Sequence, residues 1–493
     1  MRLMLNFLDA LRKVRLKLSM DTFGNNNTAI HNLPSGKSVA KSPSNPRITI
    51  GEESGRRVSC YSGTPSEWGW TQRSQLEVDK RAPEEREPMW HNIRKVLLMC
   101  GGQKLPDGIE VTRRAKDASR LVDVLEAQRF VSQVFAAMDV PKQAASEMAD
   151  VLIAADYMGH RSMGIHRLPA IAADLLNGTV VGTATPSIMS ELEAIGLVDG
   201  HNAPGPVVAN FCMDLAIQKA REVGIGWVSA CHSNCIGMAC WYACQALEQR
   251  MIGLCMTNGP PTLVPCGGVE PILGENPIAC AASGAHEQFL ADFGMGACSV
   301  EELELSYCNG WSKQVPKQVA LDSEGQETTS TAEALKAQRI RAFHPEHKGF
   351  GLAGMVDILC GVMTGARYAN LIQRRGVFSA DNAPADLGQV FIAIDPMRFC
   401  SNFEDRLGDF HRVLRRVTPN KAGNPVLVPG DKEMQHMEMV DDQGGFTMTP
   451  CTLSVLGELA EKFQIAPLKM KGISQLRPFA SKKANNHEEL QMV

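Results

Sequence analysis

Short apolar runs alternate with a helical segment over residues 226–283, and this alternation constrains the fold more than any other feature. The runs GWVSAC, IGLCMTN and PIACAAS have the length and composition of buried strands, and CWYACQALEQR has helical spacing. Farther along, the nearly all-apolar segment FGLAGMVDILCGVMTGA predicts a buried or interface helix, and VFIAID predicts a buried strand. Alternating strands and helices of this kind predict an α/β fold.

The first quarter of the chain has a different texture. Residues 21–108 are rich in Ser, Asn, Pro, Gly and charge, with too few apolar positions for a core, so residues 1–117 are predicted to be a mostly disordered extension. A helical stripe begins near Leu121, where the folded part should start. Residues 471–493 form a polar tail. The basic, leucine-rich residues 1–20 fit a mitochondrial presequence, a membrane-surface helix or a solvated helix.

Charge, apolar run length and cysteine content exclude several classes of protein. The net charge of -4 provides no positive field for nucleic acid, so no nucleic-acid partner is expected. No apolar run reaches the roughly 18 residues that span a bilayer, so no membrane partner is expected either. The 15 cysteines are spread through apolar segments of a large chain, which favours reduced thiols and a cytoplasmic location.

A Rossmann fingerprint is absent from the sequence. Such a site needs closely spaced glycines between a strand and a helix so that the backbone can approach a pyrophosphate, and no GxGxxG occurs. Residue patterns alone therefore predict an α/β protein without a recognisable nucleotide site.

Ordered motifs between Leu121 and Leu468 resemble the malate/L-lactate dehydrogenase family. The pieces are ADYMGHRSMGIHRLP, VDGHNAPGPVVANFCMDLAIQKAREVGIGW, HSNCIGMACWYA, MIGLCMTN, LGENPIA, HKGFGLAGMVDILCGVMTGA, DLGQVFIAIDP and VLVPGDKE. The resemblance implies an NAD(P)-dependent oxidoreductase of small 2-hydroxy or 2-oxo acids, usually a homodimer, with a non-Rossmann NAD(P)-binding domain of the L-sulfolactate/malate dehydrogenase-like fold. It also implies a discontinuous helical substrate and dimerisation domain (118–190 and 350–470) around a nucleotide-binding domain (191–349).

The segment GHRSMGIHR resembles the family motif GHDSHGxxR. The matching positions are Gly159, His160, Ser162, Gly164 and Arg167. The family's arginine grips the substrate carboxylate, and a planar guanidinium suits a bidentate carboxylate pair, so Arg167 and Ser162 are predicted to bind substrate. The alternative for Arg167 is a salt-bridged arginine at a helix end. Met163 replaces the family's second histidine, and a Met side chain cannot donate a hydrogen bond.

The segment HSNCIG resembles the family's SNHFG motif, whose histidine exchanges the proton of the substrate oxygen during hydride transfer. Imidazole suits this role because its ordinary pKa lies near the working pH. Cys235 holds that position here, and a thiol reaches less far. Catalytic candidates are therefore Cys235, Arg167 and His232, the last only if the turn brings it to the substrate; otherwise His232 is a surface or packing residue.

The nucleotide side retains part of the family pattern. The resemblance assigns cofactor contacts, to NAD or NADP, to Thr257 and Asn258 of TNxxP, to Asp292 of DFG and to Lys348 of KGFG. A solvated loop lysine is the alternative for Lys348. Against this pattern, Glu301-Glu302 replace a Gly-Lys pair and Glu275 replaces the threonine of LGTNP. Carboxylates near phosphates repel them, which predicts weakened nucleotide binding.

Two other functions compete with the dehydrogenase. One is a catalytically impaired homologue that acts as a dimeric metabolite-binding protein, which the residues Met163, Cys235, Glu275 and Glu302 favour. The other is a zinc-binding module over Cys231–Cys244, although its spacing is irregular and buried thiols are common in cores, so no metal is expected. Malate is the first substrate to test, and no motif separates it from lactate, a sulfonated analogue or a cyclic imine.

Overall fold

The computed structural model describes residues 120–285, 287–373, 383–420 and 425–471. The extension predicted over residues 1–117 and residues 472–493 of the predicted tail lie outside the described residues. The strands, in chain order, are β1 (Arg120–Val122), β2 (Ser187–Glu191), β3 (Ile195–Asp199), β4 (Ile225–Ser233), β5 (Ile252–Thr257), β6 (Leu263–Val264), β7 (Ile278–Ser283), β8 (Gln288–Phe293), β9 (Ala320–Leu321), β10 (Glu327–Thr328), β11 (Arg339–Arg341), β12 (Leu387–Ile394) and β13 (Phe446–Met448).

Helices separate and cover these strands. The α-helices are α1 (Val124–Ala136), α2 (Lys142–Met158), α3 (Leu168–Asn177), α4 (Gly205–Val223), α5 (Cys240–Glu248), α6 (Val300–Asn309), α7 (Thr331–Ala337), α8 (Glu346–Asp357), α9 (Phe403–Arg415), α10 (Asp431–Gln443) and α11 (Pro450–Lys462). The predicted α/β class is confirmed.

A seven-stranded sheet with the order β2-β3-β4-β12-β5-β7-β8 forms the centre of the described chain. In this sheet β3 and β4 run parallel, and the other neighbouring pairs run antiparallel. A Rossmann sheet is mostly parallel, so this topology agrees with the predicted non-Rossmann fold.

Strand β12 separates the two hydrophobic cores. Phe391 and Ala393 pack with α2, α4 and α5 in the first core. Val390 and Ile392 pack with α6, α7 and α8 in the second. Successive side chains of a strand point to opposite faces, so the unbroken apolar run from Val390 to Ile394 packs against both cores. The prediction of a buried strand at VFIAID is confirmed.

The second core lies beneath a small four-stranded sheet with the order β10-β9-β11-β6. Its residues come mainly from the segment predicted to bind nucleotide, yet β12 of the central sheet comes from the segment predicted to bind substrate. The central sheet therefore draws on both predicted segments, and the domain boundaries stay a prediction.

The apolar segment that was predicted to be a buried or interface helix forms α8 and continues as a π-helical turn, Ile358–Val362. One face packs into the second core through Ala353, Val356 and Cys360. The other face is open to solvent, with Met355 and Ile358 each 58% exposed. An apolar helix with one face buried and the other exposed is typical of a subunit interface.

Candidate active site

One cleft of about 770 Å³ contains the largest concentration of predicted site residues. The residues before or at the start of α4, α5 and α6 line it, so three helix N-termini face the same space. Helix N-termini carry partial positive charge, and their convergence favours anionic ligands. Six of the eight predicted site residues line this cleft: Ser162, Arg167, Cys235, Thr257, Asn258 and Asp292. His232 and Lys348 do not.

The substrate-side residues lie on a tight turn after α2. Helix α2 ends at Gly159, whose φ of 95° is a left-handed conformation that glycine adopts without steric cost. Two single turns of 3₁₀ helix follow, Arg161–Met163 and Ile165–Arg167. Asp156 holds the second turn by accepting a hydrogen bond from the Ile165 N–H at 2.8 Å. This turn brings Ser162 and Arg167 to the cleft wall.

The carboxyl of Asp156 is buried behind that turn. Burial raises the pKa of Asp156 to about 7, although the Ile165 N–H and the Arg161 charge both act to lower it. The turn that carries Arg167 is therefore held by a carboxyl group that stays largely protonated below neutral pH.

Arg167 forms an ion pair with Glu304 of α6, with 2.8 Å between Nη1 and Oε2. Burial acts to lower the pKa of Arg167, but the carboxylates of Glu304 and Glu301 outweigh it and raise the pKa. Among the described residues, this is the one hydrogen bond that the guanidinium makes. Its other N–H groups are therefore available to a ligand carboxylate. The salt-bridged and ligand-binding interpretations of Arg167 are compatible.

His160 is a cleft residue to which the sequence pattern assigned no role. Its Nε2 lies 3.5 Å from Oε1 of Glu433 on α10. Burial acts to lower the pKa of His160, but Glu433, Asp292 and Glu302 outweigh burial and raise it. The sequence signal that could have identified His160 as a functional residue is its position directly after the glycine that caps α2, inside a motif that matches the family.

His166 also lines the cleft, and its environment has the opposite effect. Burial lowers the pKa of His166 to about 3, and the adjacent Arg167 charge acts in the same direction. Its buried Nε2 has no hydrogen-bond partner among the described residues. At neutral pH the ring is therefore uncharged and cannot supply a proton.

The end of β4 and the turn after it place the two other catalytic candidates, His232 and Cys235, in different surroundings. Cys235 is exposed and lines the cleft. The ring of His232 is 48% exposed and lies outside the cleft wall, with its Nδ1 3.0 Å from Oδ1 of Asp199. The turn thus directs Cys235, and not His232, toward the cleft.

The cysteines of the zinc alternative do not come together. Cys240 and Cys244 are buried within α5, whereas Cys235 is exposed. Within the ranges that the structure covers, no three His, Cys, Asp or Glu side chains are grouped to hold a metal ion. The dense cysteines of residues 231–244 are therefore separate thiols in the described fold.

Thr257 and Asn258 line the cleft but use their side chains within the protein. Asn258 donates to the Arg367 carbonyl at 2.8 Å and accepts from the Gly388 N–H at 2.9 Å. Thr257 Oγ1 donates to the Asn258 carbonyl. These bonds fix the cleft wall at the end of β5, and they leave little free hydrogen-bonding capacity for a ligand.

Asp292 caps α5 at the edge of the cleft. Its Oδ2 accepts a hydrogen bond from the Cys240 N–H, at the first residue of the helix, at 2.8 Å. Burial raises the pKa of Asp292, against the opposing effects of His160 and the Cys240 N–H. The carboxyl both satisfies a helix N-terminus and faces His160.

The glutamates that depart from the family motifs all lie at the N-terminus of α6 and line the cleft: Glu275, Glu301 and Glu302. Glu302 belongs to a capping box with Ser299, and Glu275 accepts a hydrogen bond from the Val300 N–H. Lys348 lies in the first turn of α8, is exposed and takes no part in the cleft wall.

No helix within the described ranges has both the length and the apolarity to cross a membrane.

Comparison with known proteins places this chain and its fold among hydroxy-acid dehydrogenases. The family described as malate/L-lactate dehydrogenase matches residues 122–456. L-sulfolactate dehydrogenase of Methanothermobacter thermautotrophicus is 33% identical over 313 residues, which cover 64% of this chain and 89% of that protein. Malate/(S)-sulfolactate dehydrogenase of Methanothermus fervidus is 30% identical, covering 69% and 97%. The crystal structure of malate dehydrogenase from Entamoeba histolytica superposes with a TM-score of 0.66 at 26% identity, covering 71% and 99%.

Proposed function

Because the chain belongs to the malate/L-lactate dehydrogenase family, we propose that it interconverts a small 2-hydroxy acid and its 2-oxo acid, such as malate and oxaloacetate, with NAD or NADP. The observation that carries this proposal is Arg167, a cleft arginine that keeps N–H donors free beside its ion pair. A small anion with a carboxylate matches a guanidinium in a cleft where helix N-termini converge.

Arg167 binds the substrate carboxylate through those free N–H groups, and Ser162 lies on the same turn as a second polar contact. The shared turn fixes the distance between the two side chains, so both act on one end of the ligand. The reacting carbon, next to the carboxylate, then lies deeper in the cleft.

The reacting oxygen must gain a proton when the 2-oxo acid is reduced. We assign that proton to His160, because nearby carboxylates raise the pKa of its imidazole and favour the protonated form, whereas burial lowers the pKa of His166 to about 3. Cys235 lies in the same cleft and contacts the substrate oxygen as a hydrogen-bonding group. His232 is left out because Asp199 holds its ring outside the cleft.

The backbone around Gly294 and Gly296, called the glycine cradle below, is the place beside α6 where the chain could hold the phosphates of a nicotinamide dinucleotide. Gly294 and Gly296 precede the N-terminus of α6, and a Cβ added at Gly294 would lie 3.1 Å from the Glu275 carboxyl. Backbone without side chains next to a helix N-terminus suits phosphate oxygens, whereas the Glu275 carboxyl lies in the same space, so the backbone fits the group and this side chain opposes it. Thr257, Asn258 and Asp292 would form the wall beside it, and Lys348 is left out. When bound, the nicotinamide ring accepts or donates the hydride.

Two further proposals concern assembly and compartment. We propose a homodimer that covers the exposed face of α8, where Met355, Ile358 and Val362 are each more than half exposed. A cytoplasmic location is proposed on the free thiols, because the cysteines of the described residues form no disulfide.

A second candidate function is a dimeric metabolite-binding protein without turnover. The observation that favours it is the pair of departures in the cleft, a thiol at Cys235 and the Glu275 carboxyl in the phosphate cradle. Such a protein would bind the 2-oxo acid at Arg167 and leave the cofactor unchanged.

The two candidates separate in one assay. Purified protein is mixed with NADH or NADPH and a panel of 2-oxo acids that includes oxaloacetate and sulfopyruvate, and cofactor oxidation is followed by absorbance. Oxidation that is lost in Arg167→Gln supports the dehydrogenase. Binding of the 2-oxo acid without oxidation supports the second candidate, and gain of turnover in Cys235→His would then identify the thiol as its cause.

A further inference from the structure

The side chain of Glu275 lies in the glycine cradle between β8 and α6. A Cβ added at Gly294 would come 3.1 Å from Glu275 Oε2, and one at Gly296 would come 3.4 Å from its Cγ. The Glu275 carbonyl also accepts a hydrogen bond from the Met295 N–H at 2.7 Å. Gly294 therefore makes room for this side chain, a side chain at Gly296 would clash with the Cys298 carbonyl at 2.6 Å, and the backbone bond fixes where the Glu275 side chain starts.

The carboxyl of Glu275 is hydrogen-bonded to the first N–H of α6. Its Oε1 accepts a hydrogen bond from the Val300 N–H at 3.1 Å, and Val300 is the first residue of the helix. Ser299 Oγ accepts from the Glu302 N–H at 2.9 Å, and the Glu302 carboxylate accepts from the Ser299 N–H. Groups of the chain itself thus satisfy the N–H groups of Ser299, Val300 and Glu302, which an anion at this helix end would use.

A carboxyl is an unfavourable occupant of this position as an anion. Burial raises the pKa of Glu275 well above its ordinary range, and the Glu301 charge acts in the same direction, against the Val300 N–H. Glu302 adds a further negative charge to the same helical turn. The α6 N-terminus therefore has more acidic groups than its capping requires.

We propose that the Glu275 carboxyl occupies the position of a dinucleotide phosphate at the N-terminus of α6, so that NAD or NADP binds this chain only by displacing it. The inference rests on the proposed function, since it concerns the cofactor of that reaction. A phosphate and a carboxyl accept hydrogen bonds from the same N–H groups and fill the same cradle, so the two exclude each other. Glu275 acts as an internal competitor that weakens cofactor binding.

Cofactor binding without substrate tests this inference. NADH and NADPH are titrated by fluorescence into the full-length wild type, Glu275→Thr, Glu275→Gln and the control Glu324→Thr, which changes an exposed glutamate outside the cleft. Inorganic pyrophosphate serves as a competing probe. We expect Glu275→Thr to lower the dissociation constants of the dinucleotides and of pyrophosphate at least about tenfold, because it removes the carboxyl that fills the cradle and accepts the Val300 N–H.

Glu275→Gln keeps the bulk but cannot become an anion when a phosphate approaches, so we expect a smaller gain, about threefold. It also preserves the test if the shorter Thr side chain fails to support the cradle, which a melting curve would reveal. Equal affinities in wild type and both Glu275 variants overturn the inference, as does the absence of dinucleotide binding in every variant. The proposed function fails separately, if 2-oxo acids bind the wild type no better than Arg167→Gln.

Discussion

Each end of the cleft pairs a carboxyl of the chain with a group that attracts anions, but the two ends differ in what remains free. At the substrate end, Glu304 takes one N–H of Arg167 and leaves the others. At the nucleotide end, Glu275 takes the Val300 N–H and fills the cradle around it. In the proposed function, substrate binding would therefore add to an existing pair, whereas nucleotide binding would replace Glu275 at the helix N-terminus.

The comparison also shows that one helix serves both ends. Val300 and Glu304 both lie on α6, at its first residue and one turn later. A helix N-terminus fixes backbone donors, and a side chain one turn along can reach a different neighbour. Small changes in the position of α6 would thus affect carboxylate and phosphate recognition together.

The largest effect is expected from Arg167→Gln, which removes the cation at the substrate end. Loss of a charge-assisted contact to a carboxylate in a cleft should lower kcat/KM for oxaloacetate by about 10³-fold, about 4 kcal/mol. The matched control is Arg339→Gln, an arginine that is 13% exposed and paired with Glu270 outside the cleft.

The variant also leaves Glu304 without its partner, so its fold needs a separate check. The double variant Arg167→Gln/Glu304→Gln should recover thermal stability without recovering activity. Equal activity losses in the Arg167 and Arg339 variants would show that Arg167 matters only for folding.

His160→Gln is expected to reduce kcat for 2-oxo acid reduction by about 10²-fold, the usual contribution of a general acid. Since surrounding carboxylates raise the pKa of His160, wild-type kcat should fall as the pH rises through a value above the ordinary 6.5 of histidine. The variant should lose that part of the pH profile. His436→Gln is the control, because this histidine lies close to the same segment: its Nδ1 is 3.0 Å from the Tyr157 carbonyl in the last turn of α2. An unchanged pH profile in His160→Gln would assign the proton to another group.

Motifs predicted the place of most site residues, because matched segments end at the same cleft. Ser162, Arg167 and Cys235 come from separate motifs and meet there, and β12 follows from an unbroken apolar run. Local sequence encodes such features through turn chemistry and burial.

Partners that are distant in sequence were beyond prediction. Glu304 is 137 residues from Arg167, and nothing in either segment indicates the pair. The side chains of Thr257 and Asn258 were predicted to contact cofactor; Thr257 bonds to the carbonyl of the next residue, and Asn258 bonds to the backbone of Arg367 and Gly388, which distant parts of the chain bring in. A motif specifies residue types and their spacing, whereas hydrogen-bond partners depend on packing between segments.

Asp156→Asn tests the buried acid behind the turn that carries Arg167, at the substrate end of the cleft. The pKa of Asp156 is about 7 in the folded protein and 3.8 ordinarily, so the unfolded chain loses this proton at lower pH. The folded state is therefore favoured below about pH 4 and loses that contribution as the pH rises to about 7.

Asparagine still accepts the Ile165 N–H and does not ionise. We expect the variant to gain about 2 kcal/mol relative to wild type between pH 5.5 and pH 8, measured by urea unfolding. Asp409→Asn, at a side chain that is 67% exposed, should give no such difference. A pH-independent offset between wild type and Asp156→Asn would contradict the buried-acid explanation.

Glu304→Gln should have the smallest effect, and its sign decides what the ion pair does. The amide oxygen of Gln can still accept the Arg167 hydrogen bond, while the negative charge that faces an incoming carboxylate is removed. We expect the dissociation constant of oxaloacetate, measured calorimetrically without nucleotide, to fall about fivefold, near 1 kcal/mol. Glu304→Leu removes the acceptor as well, so it should bind more weakly than Glu304→Gln. Weaker binding in both variants with unchanged melting temperatures would mean that the charge of Glu304 is needed to orient Arg167, and substrate binding would then depend on α6 as strictly as nucleotide binding does.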